Sequence, residues 1–118
     1  MSESKSLAVP VLDVDPERSK KTWYLYIIEA NNGSLYTGIT TNVVRRFREH
    51  KNSRRGAKFF AGNKPVAVRM VEKHAGRSNA SKRECQIKAM SASKKRDLVE
   101  RGDPLLLDRC LAELAQDA

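Results

Sequence analysis

Hydrophobic and polar positions along the chain change their period several times. Trp23-Tyr24-Leu25-Tyr26-Ile27-Ile28 is dense in aromatic and β-branched residues and predicts a strand. Asn31-Asn32-Gly33 supplies turn chemistry, and Leu35-Tyr36-Thr37-Gly38-Ile39-Thr40 predicts the returning strand of a hairpin. Thr41 and Asn42 are helix N-cap types. Val43, Val44 and Phe47 follow at helical spacing, so a helix is expected from about Asn42 to Lys51. Residues 52–64 predict a basic loop or short helical piece around Phe59-Phe60, and Val66–Val71 a third strand running on towards His74. Ser78 or Asn79 is the expected cap of a helix carrying Ala80, Ile87 and Met90, and Ser93 of one carrying Leu98 and Val99 and stopped at Gly102. Asp103-Pro104 opens a last helix with proline at its first position and Leu105, Leu106, Leu111 and Leu114 as its apolar stripe. The order ββαβααα predicts an α/β (α+β) fold with a small three-stranded, mainly antiparallel sheet flanked by helices.

Periodicity is missing from residues 1–20, which are expected to be a flexible N-terminal arm. The pattern predicts a domain over residues 21–102. Residues 103–118 are expected to form a C-terminal helix packing on that domain or on a partner.

Charge sharpens this division. The 118 residues carry a formal net charge of +9, but residues 21–102 alone carry +13, while both flanking segments are acidic. Arg45–Lys58 holds seven positive charges and one negative. A polyanion is the partner this implies, nucleic acid ahead of an anionic membrane surface. A solubilising surface is the plainer reading of the basic run, but so large an excess on one segment favours a phosphate-tracking role. That role is assigned to Arg45, Arg48, Lys51, Arg54, Arg55, Lys58, Lys64 and Lys88. Phe59-Phe60 could stack on bases, but capping the core is the stronger expectation.

Other classes recede. Cys85 and Cys110 make no disulfide framework and are expected to be small buried hydrophobes. With His50 and His74 they show no zinc-ligand spacing. No apolar run approaches the ~20 residues of a membrane span. Leu7-Ala8-Val9, ended by Pro10, is too short for a signal peptide, so a cytoplasmic setting is the default expectation.

The chemistry-bearing residues follow the hairpin. Tyr26 and Tyr36 lie one on each strand. Arg46 and His50, at i and i+4, share a helix face, and Glu84 is the only acid between Lys73 and Asp97. Taken singly, the tyrosines are ordinary strand residues and Glu84 a surface partner for Lys88.

Together, in this order, they resemble the GIY-YIG nuclease superfamily, in which a G-I-Y strand is followed by a Y-I-G strand, then a helical arginine, in some branches a histidine, and later a glutamate. Tyr24-Leu25-Tyr26 and Tyr36-Thr37-Gly38 match the two strands. Arg46, His50 and Glu84 match the rest. The stretch from Leu35 to His50 is most similar to the small stand-alone bacterial YhbQ-like group, and the resemblance covers about residues 22–101. The chain departs at Tyr24, where the family has glycine, at Thr37, and in having no asparagine after Asn79.

The resemblance implies an endonuclease hydrolysing DNA phosphodiester bonds, with branched or damaged DNA and roles in repair or recombination among the candidates. No small-molecule cofactor is implied. It implies one Mg²⁺ (or Mn²⁺) per site held by Glu84, with Arg46 on the scissile phosphate, Tyr26 or Tyr36 as general base, and His50 sharing protons or binding phosphate. The competing readings are a non-catalytic nucleic-acid-binding protein that keeps the nuclease fold, and an interaction domain built on the leucine helix. Geometry offers a test. A three-residue Asn31-Asn32-Gly33 loop with Gly33 left-handed pairs Tyr26 with Gly38 and puts both phenols on one face. A two-residue turn sends them to opposite faces. Gly33 and Gly38 are the glycines expected to serve this turn.

Overall fold

The computed structural model describes residues 21–52 and 63–116. The N-terminal arm, Arg54, Arg55, Lys58 and Phe59-Phe60 lie outside them. Three strands form one antiparallel sheet in the order β2-β1-β3: β1 (Thr22–Ala30), β2 (Leu35–Thr40) and β3 (Pro65–Ala75). Among the described residues four helices follow the predicted sequence: α1 (Val43–Asn52), α2 (Arg77–Lys88), α3 (Ala92–Glu100) and α4 (Pro104–Ala115).

The central strand is buried on both sides, which explains its unbroken apolar run. Leu25, Tyr26, Ile27 and Ile28 are each at most 1% exposed. Side chains alternate across the sheet, so the run feeds two cores. Tyr26, Ile28 and Ala30 pack with Val43, Val44 and Phe47 of α1 and with Leu106, Leu107, Cys110 and Leu114 of α4. Leu25 and Ile27 pack on the other side with Ile87 of α2, Met90, and Leu98 and Val99 of α3.

A bulge in β3 serves both cores. Ile27 pairs with Met70 but Ile28 pairs with Val68, which leaves Arg69 as the extra residue. The parity of the strand flips there. Val68 joins the Tyr26 core and Met70 the Leu25 core, although two residues apart they would otherwise share a face. Arg69 turns outward to Glu29, with Nε 2.7 Å from Oε1.

Helix starts follow local chemistry, with two differences from expectation. The Asn42 side chain accepts from the Arg45 N–H at 3.0 Å, and Asp103 accepts from the Leu105 N–H at 2.9 Å ahead of Pro104. α3 is capped by Ser91 rather than Ser93, because the chain is still extended at Ser91 and its oxygen reaches the Lys94 N–H. α2 begins at Arg77 after Gly76, with no side-chain cap. Neither Ser78 nor Asn79 caps it, and Asn79 instead donates to the Ala75 carbonyl. Cys110 is buried as expected, but Cys85 is exposed. No described helix is long and apolar enough to cross a membrane.

Candidate active site

The hairpin closes through Asn31-Asn32-Gly33. Gly33 has φ of +85°, its N–H donates to the Ala30 carbonyl, and the Ala30 N–H donates to the Ser34 carbonyl. This is the three-residue loop. It sets Tyr26 opposite Gly38 and Ile28 opposite Tyr36, with both phenols on the α1 face. The ring centroids are 6.2 Å apart.

Gly38 is not a turn residue. It lies within β2, and the Tyr26 ring lies across it. A Cβ at this position would stand 2.5 Å from the phenol oxygen and 2.7 Å from Cζ. The absence of a side chain makes the space in which the buried tyrosine sits.

His50, 4% exposed, comes from the last turn of α1 to meet both rings. Its Nε2 is 2.9 Å from the Tyr26 phenol oxygen, and its ring stands edge-on to Tyr36 with centroids 5.4 Å apart. Burial first, and then the neighbouring Arg46 charge, push the imidazole down to about 4 against a smaller opposing pull from Glu49. His50 is therefore neutral at pH 7. Burial and the nearby Tyr36 raise the Tyr26 phenol, outweighing Arg46, so it too is neutral. The Arg46 charge lies close enough to the phenol to favour its ionised form, but burial outweighs it.

Arg46 extends one turn before His50. Burial opposes its charge, but Glu49 and Tyr26 more than offset this and hold the guanidinium above its ordinary value. Its Nη1 donates to Glu49 Oε1 at 3.0 Å.

The other side chains arrive from α2, which packs on the opposite face of the sheet and reaches round the edge strand β2. Glu84 is half-buried beside the fully buried Ala80–Ile87 line. Its charge adds to the forces that raise the Tyr26 phenol. Lys88 Nζ lies 3.2 Å from Glu84 Oε2 and 6.0 Å from the Tyr36 ring centroid. Lys88 thus belongs to this cluster, although its sequence assignment was to the surrounding basic surface.

The described members of that basic surface divide. Arg45, Arg48 and Lys51 continue α1 beside the site. Arg45 and Lys51 are exposed, and Arg48 is half-buried. Lys64 is exposed and stands at the turn end of the hairpin, where its carbonyl accepts from the Asn31 N–H.

Two departures from the family motif do not enter the site. Thr37 pairs with Ile27 and faces the α2–α3 layer, and Tyr24 packs against the core shared with α1 and α4. Among the described residues no group of three or more His, Cys, Asp or Glu could enclose a metal ion. Glu84 offers one carboxylate, which suits a cation that keeps most of its water, as Mg²⁺ does.

One arrangement had a weak signal in the sequence and one had none. The Glu49 contact was signalled only by its i+3 spacing from Arg46. The bidentate pair between Glu72 and Arg83, at 3.1 Å on both oxygens, joins β3 to α2 and had no local signal.

Residues 22–97 match the family model described as the GIY-YIG catalytic domain. A UPF0213 protein of Desulfotalea psychrophila is 45% identical over 85 residues, spanning 72% of this chain and 77% of that protein. A UPF0213 protein of Photorhabdus laumondii is 42% identical over 81 residues, or 69% of this chain and 77% of that one. The solution NMR structure of the UPF0213 protein from Bacillus halodurans is 36% identical, covering 71% of this chain and 89% of its own, with a TM-score of 0.46.

Proposed function

The chain belongs to the GIY-YIG family, and from that premise we propose that it is a metal-dependent endonuclease hydrolysing phosphodiester bonds of DNA in the cytoplasm. One observation carries the reading. Tyr26, Tyr36 and His50 pack together, the Arg46 charge acts on two of them, and Glu84 pairs with the Lys88 that lies over the Tyr36 ring, all in a strongly basic domain.

Each side chain has a role that its surroundings support. Arg46 binds the scissile phosphate, because its planar fork matches two phosphate oxygens and stays charged at any working pH. Tyr26 is fully buried, its oxygen is 2.9 Å from His50 Nε2 and the Arg46 charge lies nearby, which suits a group that helps to hold the arginine in place. Tyr36 is half-buried at the edge of the cluster and is the phenol that an attacking water can reach, so it orients that water as the general base. His50, held neutral, is hydrogen-bonded to the Tyr26 phenol and fixes that ring. Glu84 would hold one Mg²⁺ or Mn²⁺. When bound, such an ion supplies charge neutralisation on the phosphate and a more acidic water. Arg45, Arg48 and Lys51 track the flanking backbone.

The test incubates the protein with supercoiled plasmid and with branched duplexes, with Mg²⁺, Mn²⁺ or chelator, beside Arg46→Ala. Metal-dependent nicking that is lost in the variant supports the reading, and the preferred substrate indicates whether repair or recombination intermediates are its targets. Tight binding with no cleavage under any metal would replace it with a non-catalytic nucleic-acid-binding role.

A further inference from the structure

Glu49 is the only acidic residue between Glu29 and Glu72, in the most basic part of the chain. Its position does not favour its own helix. It stands beside His50 and Lys51 in the closing part of α1, where the helix dipole attracts cations and opposes a carboxylate. Nor does it add much as a surface ion pair. Its side chain is 43% exposed and that of Arg46 is 32% exposed, and such pairs contribute little to stability.

What it does contribute is geometry. Oε1 accepts from Arg46 Nη1 at 3.0 Å, and Oε2 lies 3.9 Å from Arg45 Nε. The Arg46 charge also lies near the buried Tyr26 phenol. The guanidinium is tied to an anchor on its own helix, beside the buried central strand, so a flexible side chain is restrained before any phosphate arrives.

We propose that Glu49 is a positioning residue that aims Arg46 at the phosphate through the Nη1 contact. This rests on the reading of Arg46 as the phosphate-binding residue. Glu49 touches neither substrate nor water in this role. It lowers the freedom of Arg46, so its loss acts on turnover and not on DNA capture, since removing a negative charge from a basic surface can only favour binding.

Two variants separate geometry from charge. Glu49→Ala removes both the acceptor and the charge, whereas Glu49→Gln keeps an oxygen acceptor and removes only the charge. Steady-state cleavage of a labelled duplex gives kcat and KM. The ¹H–¹⁵N heteronuclear NOE of the Arg46 Nε–Hε pair at pH 6 reports side-chain order independently of activity. Glu49→Ala is expected to lower kcat about tenfold without raising KM, and to lower the Arg46 NOE. Glu49→Gln should restore most of kcat and the NOE. Unchanged kcat with tighter DNA binding, and an unchanged NOE in Glu49→Ala, would overturn the proposal and leave Glu49 a surface charge. Arg46→Ala in the same series guards the premise. If it cleaves as the native protein does, or if the native protein cleaves nothing, the nuclease reading fails and the NOE alone decides whether Glu49 orders Arg46.

Discussion

Acid is expected to loosen this protein well above the pH at which carboxylates titrate, and His50 is the reason. The ring is enclosed by Tyr26, Tyr36 and Arg46, and burial followed by the Arg46 charge takes it down to about 4. An unfolded histidine titrates near 6.5. Between those values the unfolded chain binds more protons than the folded one, so stability is intact above about pH 6.5 and falls as pH drops towards 4. One pKa unit corresponds to about 1.4 kcal/mol, so His50 accounts for a loss of about 3 kcal/mol in all, with about 2 kcal/mol gone by pH 5. Glu72 adds an acid-sensitive contribution of its own. Burial pushes its carboxyl up, but hydrogen bonds from Arg83 and His74 outweigh this and hold it below the ordinary carboxylate range, so its loss falls at lower pH. Urea denaturation followed by Trp23 fluorescence at pH 7 and pH 5 measures the difference, and the ¹³C-resolved Hε1 resonance of His50 gives its titration directly. Equal stability at the two pH values, together with a His50 midpoint near 6.5, would refute the enclosed, neutral imidazole and the Tyr26–His50 hydrogen bond built on it.

Two further outcomes follow from contacts at single positions. Gly38→Ala must move the Tyr26 ring, which has no space to yield; a loss of about 1–3 kcal/mol in thermal denaturation is expected, together with loss of DNA cleavage. Burial and then Glu113 push the Cys110 thiol up to about 11, whereas Cys85 is exposed, so a chromogenic disulfide reagent at pH 8 should titrate one thiol per folded chain and two in urea.

The hairpin was legible because its determinants are local. Gly33 can take the left-handed conformation that the three-residue loop needs, and the loop then sets the register that brings Tyr26 and Tyr36 to one face. The caps at Asn42 and Asp103 were legible for the same reason. Ser91 and Ser93 offer the same hydroxyl two residues apart, and only the backbone path decides between them. The Arg69 bulge was hidden because alternation along β3 assumes unbroken pairing, and a single extra residue reverses it. The position of Lys88 over the Tyr36 ring depends on how α2 packs beside the edge strand, a tertiary fact with no trace in nearby sequence. The same holds for the Glu72–Arg83 pair. The hairpin pair followed from local chemistry and Glu84 from the family resemblance, whereas contacts across layers that no motif marks had no sequence signal.

The central claim is that this cluster cuts DNA with the help of a cation held by Glu84. Its most direct test compares single-turnover cleavage of one labelled DNA by the native protein and by Glu84→Gln in Mn²⁺, with binding of the same DNA measured in parallel. The account predicts metal-dependent cleavage by the native protein and a loss of at least about a hundredfold in the variant, with binding retained. Cleavage by Glu84→Gln at the native rate would contradict it.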